Sequence, residues 1–129
     1  MRTAKKTRMD SENGLKLVTC SIDMQFAPKD LDHAVRLLLS EAGHTQAKRG
    51  CRACNVGVEA GEPGLVHYRE DWDSECAFQR HVQSEEFRRV LVAVDLCSEE
   101  PHIVVGNLSG HSGLAYLRTL REKEVVTAE

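Results

Sequence analysis

The spacing of apolar positions changes several times along the chain, and each change marks an element. From Leu15 to Phe26 apolar and polar residues alternate, with Leu17, Val18, Ile22 and Met24 in the run, which predicts a first strand. Pro28 then suits the opening of a helix. Leu31, Ala34, Val35, Leu38 and Ala42 recur at helical spacing and give one buried stripe. The stripe ends near Arg49-Gly50, where basic residues and a glycine suit a helix C-terminus. Cys51 to Glu59 reads as a second strand, Ala60 to Gly64 as a turn by composition, and Leu65 to Trp72 as a third strand. Strands two and three should therefore form a hairpin. Asp73 and Ser74 cap a helix that begins there. Ser84 caps a second piece, with Glu85 and Glu86 favourably placed in its first turn. Phe87, Val90, Leu91 and Val94 form its buried face at i, i+3, i+4 and i+7. Pro101 precedes a last strand, His102 to Leu108.

The order is βαββαβ with the second helix split in two. It predicts an α+β, ferredoxin-like fold: a four-stranded antiparallel sheet with helices on one face. Nothing in the sequence covers the other face, so that face calls for a partner. Residues 1–14 carry Lys5, Lys6 and Arg8 with little apolar content and read as a flexible arm. Residues 15–109 make the domain. In the extension 110–129, Leu114, Leu117 and Leu120 are spaced like a short helix face, which reads equally as a clamp on a dimer or as a partly ordered tail.

Composition narrows the function. A chain of 129 residues with 41% hydrophobic and 29% charged content suits one globular domain. A formal net charge of −3 and the lack of a basic stripe argue against nucleic acid as a partner. No apolar run approaches the roughly 18 residues of a membrane span. The first residues lack the apolar stretch of a secretory leader, so a cytoplasmic location is expected. The five cysteines are odd in number, which argues against a disulfide framework. Cys51-Arg52-Ala53-Cys54 has C-x-x-C spacing, but residues three apart on a strand should point to opposite faces and make poor joint ligands. The cysteines are therefore expected to be buried small hydrophobes. No metal-binding spacing and no phosphate-cradling glycine loop is found.

The candidate chemistry lies between Leu65 and Leu91. Alternation puts Val66, Tyr68, Glu70 and Trp72 on one face of the third strand, and Leu65, His67, Arg69 and Asp71 on the other. The aromatic set should pack under the helices. Trp72 reads either as a pocket wall offering its indole N–H or as a core aromatic with a satisfied N–H. Tyr68 could add a phenolic donor. Histidine as a residue type changes charge near neutrality, so His81 could take a substrate proton, or its ring could simply bond a backbone group and fix the helix break before Ser84.

The pattern Glu70-Asp71-Trp72, then His81-Val82-Gln83-Ser84, then Phe87 resembles the antibiotic biosynthesis monooxygenase family, and the likeness extends more loosely from about Leu15 to Leu108. The resemblance implies a homodimer joined through the open sheet face, a dimeric α/β barrel. It also implies a small aromatic substrate of phenol or quinol type, oxidised with O₂ without metal or flavin. In that reading Trp72, Tyr68, Glu70 and Phe87 are substrate-binding and His81 is the catalytic base. The heme-degrading branch of the same superfamily places a tryptophan where His81 stands and a ligating histidine ten positions on. Leu91 occupies that position and cannot ligate iron, so no heme is expected. The alternative is a non-catalytic small-molecule-binding or dimerisation module of the same fold.

Overall fold

The computed structural model describes residues 16–108 and 113–124. The sequence-predicted arm lies outside them. In chain order the elements are β1 (Leu17–Gln25), α1 (Pro28–Gln46), β2 (Cys51–Val58), β3 (Leu65–Trp72), α2 (Glu75–Val82), α3 (Glu85–Asp95), β4 (His102–Leu108) and α4 (Leu114–Glu122). Local chemistry sets the boundaries. Pro28 opens α1 because its missing N–H is one that a first turn leaves unpaired anyway. Ser74 and Ser84 cap α2 and α3, their hydroxyls accepting from Ala77 N at 3.2 Å and Phe87 N at 3.4 Å. No described helix is long and apolar enough to cross a membrane.

The sheet runs β2-β3-β1-β4, and every neighbouring pair is antiparallel. β1 and β2 are joined through α1 and both lie antiparallel to β3, which sits between them. This is the split βαβ arrangement of the ferredoxin-like fold. The period-2 prediction holds along β1, where Val18, Cys20, Ile22 and Met24 are buried and the intervening residues are not. It holds along β3, where Val66, Tyr68, Glu70 and Trp72 are buried. Ala34, Leu38 and Ala42 of α1 and Phe87, Val90 and Ala93 of α3 close over this face. Each large aliphatic side chain sealed there contributes roughly 1.5–3 kcal/mol relative to exposure.

Two glycines make the turns that seat the helices. Gly50 has φ +89, and a Cβ on it would stand 2.7 Å from the Ala77 Cβ of α2. Gly64 has φ +85, and a Cβ there would meet the Phe26 carbonyl at 2.5 Å. Both positions are left-handed and crowded, so only glycine fits without strain.

The cover is incomplete at one edge. Ile103 and Val105 pair with Ile22 and Cys20 and so point to the helix side, yet they are 50% and 54% exposed. The helix layer stops short of β4. Val104 and Leu108 project from the opposite face and are also exposed, as are Leu114, Leu117 and Leu120 of α4.

Three expectations need correction. The first helix ends at Gln46, not near Arg49, and Lys48 leaves it in a turn. Cys51 and Cys54 do not point to opposite faces. A bulge between Cys51 and Ala53 sets Cys51 opposite Trp72 and Cys54 opposite Glu70, so the extra residue returns both cysteines to the helix side. Finally, only Cys20 and Cys54 are buried; Cys51 and Cys97 are partly covered and Cys76 is exposed.

Candidate functional site

Beneath α2 and α3 lies a carboxylate with no access to water. Glu70 is 0% exposed, held at the centre of β3 by an alternation that also buries Tyr68 and Trp72 on either side. Isolated in an apolar core, this group would be costly. Instead, polar hydrogens converge on it. Trp72 donates its indole N–H to Oε1 at 2.9 Å, Tyr68 donates its hydroxyl to Oε2, and His81 Nε2 lies 2.9 Å from the same Oε2. Trp72 and Tyr68 are residues i+2 and i−2 on the same strand face, close enough for their polar tips to reach back to Glu70. His81 comes from the last turn of α2.

Packing fixes the ring of His81. Its face lies against Trp72, with centroids 4.8 Å apart and planes tilted by 31°. Phe87 of α3 meets it edge-on at 5.5 Å and 78°. Ser84, at the break between α2 and α3, donates its hydroxyl to the His81 carbonyl at 2.6 Å. All five sequence-derived candidates are therefore brought together: Tyr68, Glu70, Trp72, His81 and Phe87 form one contiguous cluster. The two pocket donors suggested by the sequence, Trp72 N–H and Tyr68 O–H, are both directed to Glu70.

Two participants were not singled out from the sequence. Cys54, brought round by the β2 bulge, donates its thiol to the Tyr68 oxygen at 3.3 Å. Lys48 reaches in from the turn after α1, and its Nζ lies 3.0 Å from His81 Nδ1, 3.0 Å from Ser84 Oγ and 2.9 Å from Glu86 Oε1. The C-x-x-C motif points towards Cys54 only if the bulge is known. No sequence periodicity ties Lys48 to a ring 33 residues away.

The environment sorts these groups chemically. Burial, reinforced by the Glu70 charge, raises the Tyr68 phenol above its ordinary range, so it serves as a donor and not as a phenolate. Burial likewise pushes the Cys54 thiol up to about 12, as it does the Cys20 thiol. Neither is a thiolate nucleophile at neutral pH. Among the described residues, no group of three or more His, Cys, Asp or Glu side chains is placed to hold a metal ion. Leu91, expected on the buried face of α3, is instead half-exposed.

A second buried carboxylate, Glu41 of α1, is 3% exposed. Its Oε1 has no hydrogen-bond partner; Arg89 Nη1 stands 3.6 Å away and His44 Nδ1 3.9 Å. It links α1 to α3.

Comparison with known proteins agrees with this architecture. A crystal structure of an antibiotic biosynthesis monooxygenase superposes with a TM-score of 0.62 at 20% identity, covering 68% of this chain and 94% of that one. A Deinococcus radiodurans protein, named as a candidate antibiotic biosynthesis monooxygenase, gives 0.69 at 18% identity, covering 75% and 97%. A Bacteroides thetaiotaomicron protein of unknown function, named as a candidate oxidoreductase, gives 0.67 at 12% identity, covering 73% and 99%. At such identities these likenesses speak for the fold alone. No curated protein matches the chain. The profile of one family matches residues 17–92, more than half the sequence and the whole of the Glu70 cluster, and on that match the chain belongs to the antibiotic biosynthesis monooxygenase family.

Proposed function

We propose that this protein is a monooxygenase that oxidises a small electron-rich aromatic, a phenol, naphthol or quinol, with O₂. The observation that carries the reading is the buried Glu70 carboxylate with Tyr68, Trp72 and His81 gathered on it, inside the segment that matches the family. In the proposed reaction the Glu70–His81 pair accepts a proton from the substrate. The resulting anion passes an electron to O₂, and the two radicals recombine with formation of a C–O bond. The peroxide anion takes the proton back from the Glu70–His81 pair; the hydroperoxide then loses the hydrogen on its carbon as its O–O bond breaks, so that one oxygen leaves as water and the other remains as the new carbonyl of a quinone. The substrate supplies the electrons, so this chemistry needs neither metal nor flavin. Glu70 has capacity for the proton because a carboxylate offers about four lone-pair sites and three are engaged. Trp72 and Phe87 hold the imidazole, and Trp72 with Tyr68 stabilises the negative charge on Glu70. A second copy of the chain is the proposed partner at the open sheet face.

Oxygen uptake with a panel of quinols, naphthols and anthrones tests the reading. Turnover should fall at least about 10²-fold in Glu70→Gln and in His81→Ala, the usual scale for losing a general base. Cys76→Ser, at an exposed thiol, should leave it unchanged. A full panel without oxygen consumption, or full activity in both site variants, would overturn it.

One observation favours a second reading. The Trp72 and Tyr68 donors are already spent on Glu70, which is what a core network holding a binding or dimerisation module together would also require. Such a module would show ligand-dependent thermal stabilisation with no O₂ consumed.

A further inference from the structure

Lys48 supplies the one cation in bonding contact with the Glu70 cluster among the described residues, and it does so through a ring and not directly. An ammonium has three N–H donors and no acceptor. Its three neighbours here are His81 Nδ1, Ser84 Oγ and Glu86 Oε1, at 3.0, 3.0 and 2.9 Å. Each N–H has a partner, and the partner on the ring must accept. His81 Nδ1 therefore carries no proton. The remaining proton sits on Nε2, 2.9 Å from Glu70 Oε2, to which it donates. The geometry points to Lys48 as a positioning residue that holds His81 as a neutral imidazole between a buried carboxylate and a partly exposed ammonium.

The alternative pairing shows why a lysine is needed there. A histidine 2.9 Å from a wholly buried carboxylate would ordinarily gain a second proton and become the counter-ion itself. Lys48 occupies the site of that proton. The titratable groups bonded to the ring or to its partners are Glu70 on β3, with Tyr68 and then Cys54 of β2 behind it, Lys48 after α1, and Glu86 on α3 bonded to that lysine. Glu86 keeps the ammonium in place, and Lys48 in turn, as the first cause, lowers the Glu86 carboxyl to about 2. The arrangement also makes a proton route. As a Lys48 N–H passes its proton to Nδ1, Nε2 releases its own to Glu70, and the ring is neutral before and after. Solvent reaches the outer end, where the Lys48 and Glu86 side chains are 27% and 29% exposed. The consequence for turnover rests on the monooxygenase reading; the protonation state of the ring does not.

The test is ¹⁵N NMR of the histidine rings in the full chain, with His81 assigned by its loss in His81→Gln. In the wild type at neutral pH, His81 should show one protonated nitrogen, Nε2, and one bare nitrogen, Nδ1. In Lys48→Met the bare-nitrogen signal should be lost and replaced by a second protonated one. Lys48→Arg, which keeps a charged donor, should restore the wild-type pattern. A wild-type ring with both nitrogens protonated, or with the proton on Nδ1, overturns the proposal even if Lys48→Met does not fold. So does a folded Lys48→Met whose ring spectrum matches wild type. Wild-type protein that consumes no O₂ yet shows the Nε2–H ring sinks the monooxygenase reading and leaves this one standing.

Discussion

Glu70 governs the energetics of the core as well as its chemistry. Removing it by Glu70→Ala strands the Trp72 N–H, the Tyr68 O–H and the His81 N–H in a region closed to water. Unsatisfied buried donors cost about 1–3 kcal/mol each, so unfolding free energy should drop by at least about 3 kcal/mol in urea denaturation. Tyr68→Phe removes only one donor and should cost about 1–3 kcal/mol. On the opposite face, His67 lies between Asp23 and Glu59, with ring nitrogens 2.7 Å from each carboxylate. Asp23 first and Glu59 second raise its pKa above 6.5. The protonated form is thus favoured by folding. Its stabilisation is fully present below about pH 6.5 and is lost as pH rises through the raised folded value. The three groups are roughly two-fifths exposed, so solvent screens the effect. Tm of wild type minus that of His67→Gln, measured from pH 5.5 to 9, should shrink as pH increases. A gap that widens would overturn the assignment. At this scale the sequence displayed Tyr68, Glu70 and Trp72 on one face, since alternation alone decides that. It did not show that both aromatic donors turn inward to Glu70, because side-chain rotamers answer to packing from α2 and α3.

At the scale of elements, the site depends on two junctions. Ser84 caps α3, accepts from Lys48 and bonds the His81 carbonyl, so one hydroxyl ties three segments. Ser84→Ala should lower stability by about 0.5–2 kcal/mol, the usual cost of losing such a cap, with a shift in the denaturation midpoint as readout. Gly50 lets the chain turn from α1 into β2 beneath α2. Gly50→Ala adds left-handed strain, about 1–2 kcal/mol, to a clash with Ala77, and the loss of Tm should exceed that of Gly43→Ala, whose added Cβ meets nothing within 4 Å. The element identities were plainest in the sequence where a run kept one period, as in β1 and β3. The β2 bulge was not. A bulge is a mismatch between two strands, and one strand read alone carries no register.

For the whole molecule, the decisive feature is a sheet clad on one side. The helices seal the face of Glu70, while the face of His67 and Val104 has no cover among the described residues. A dimer proposed across that face should sediment at twice the 14.4 kDa chain mass. Val104→Asp would place a charge in the joint, and the dimer should weaken at least about tenfold, equivalent to about 1.4 kcal/mol, while far-UV circular dichroism is preserved. A wild type that remains monomeric at high concentration would remove the dimer from the proposal. The family match spans β1 to most of α3 and stops short of β4, and α4 lies beyond it with its leucines exposed.

The linear order of residues was enough to determine the periods, the caps, the turn glycines and hence the ferredoxin-like layer order, since each depends on neighbours a few positions apart. Tertiary structure alone decided that Cys54 faces Tyr68, that Lys48 reaches His81, and that three donors meet on one carboxylate. Those contacts join α1, β2, β3 and α2 across the core, and local periodicity holds no information on which polar tips will find one another once water has been squeezed out.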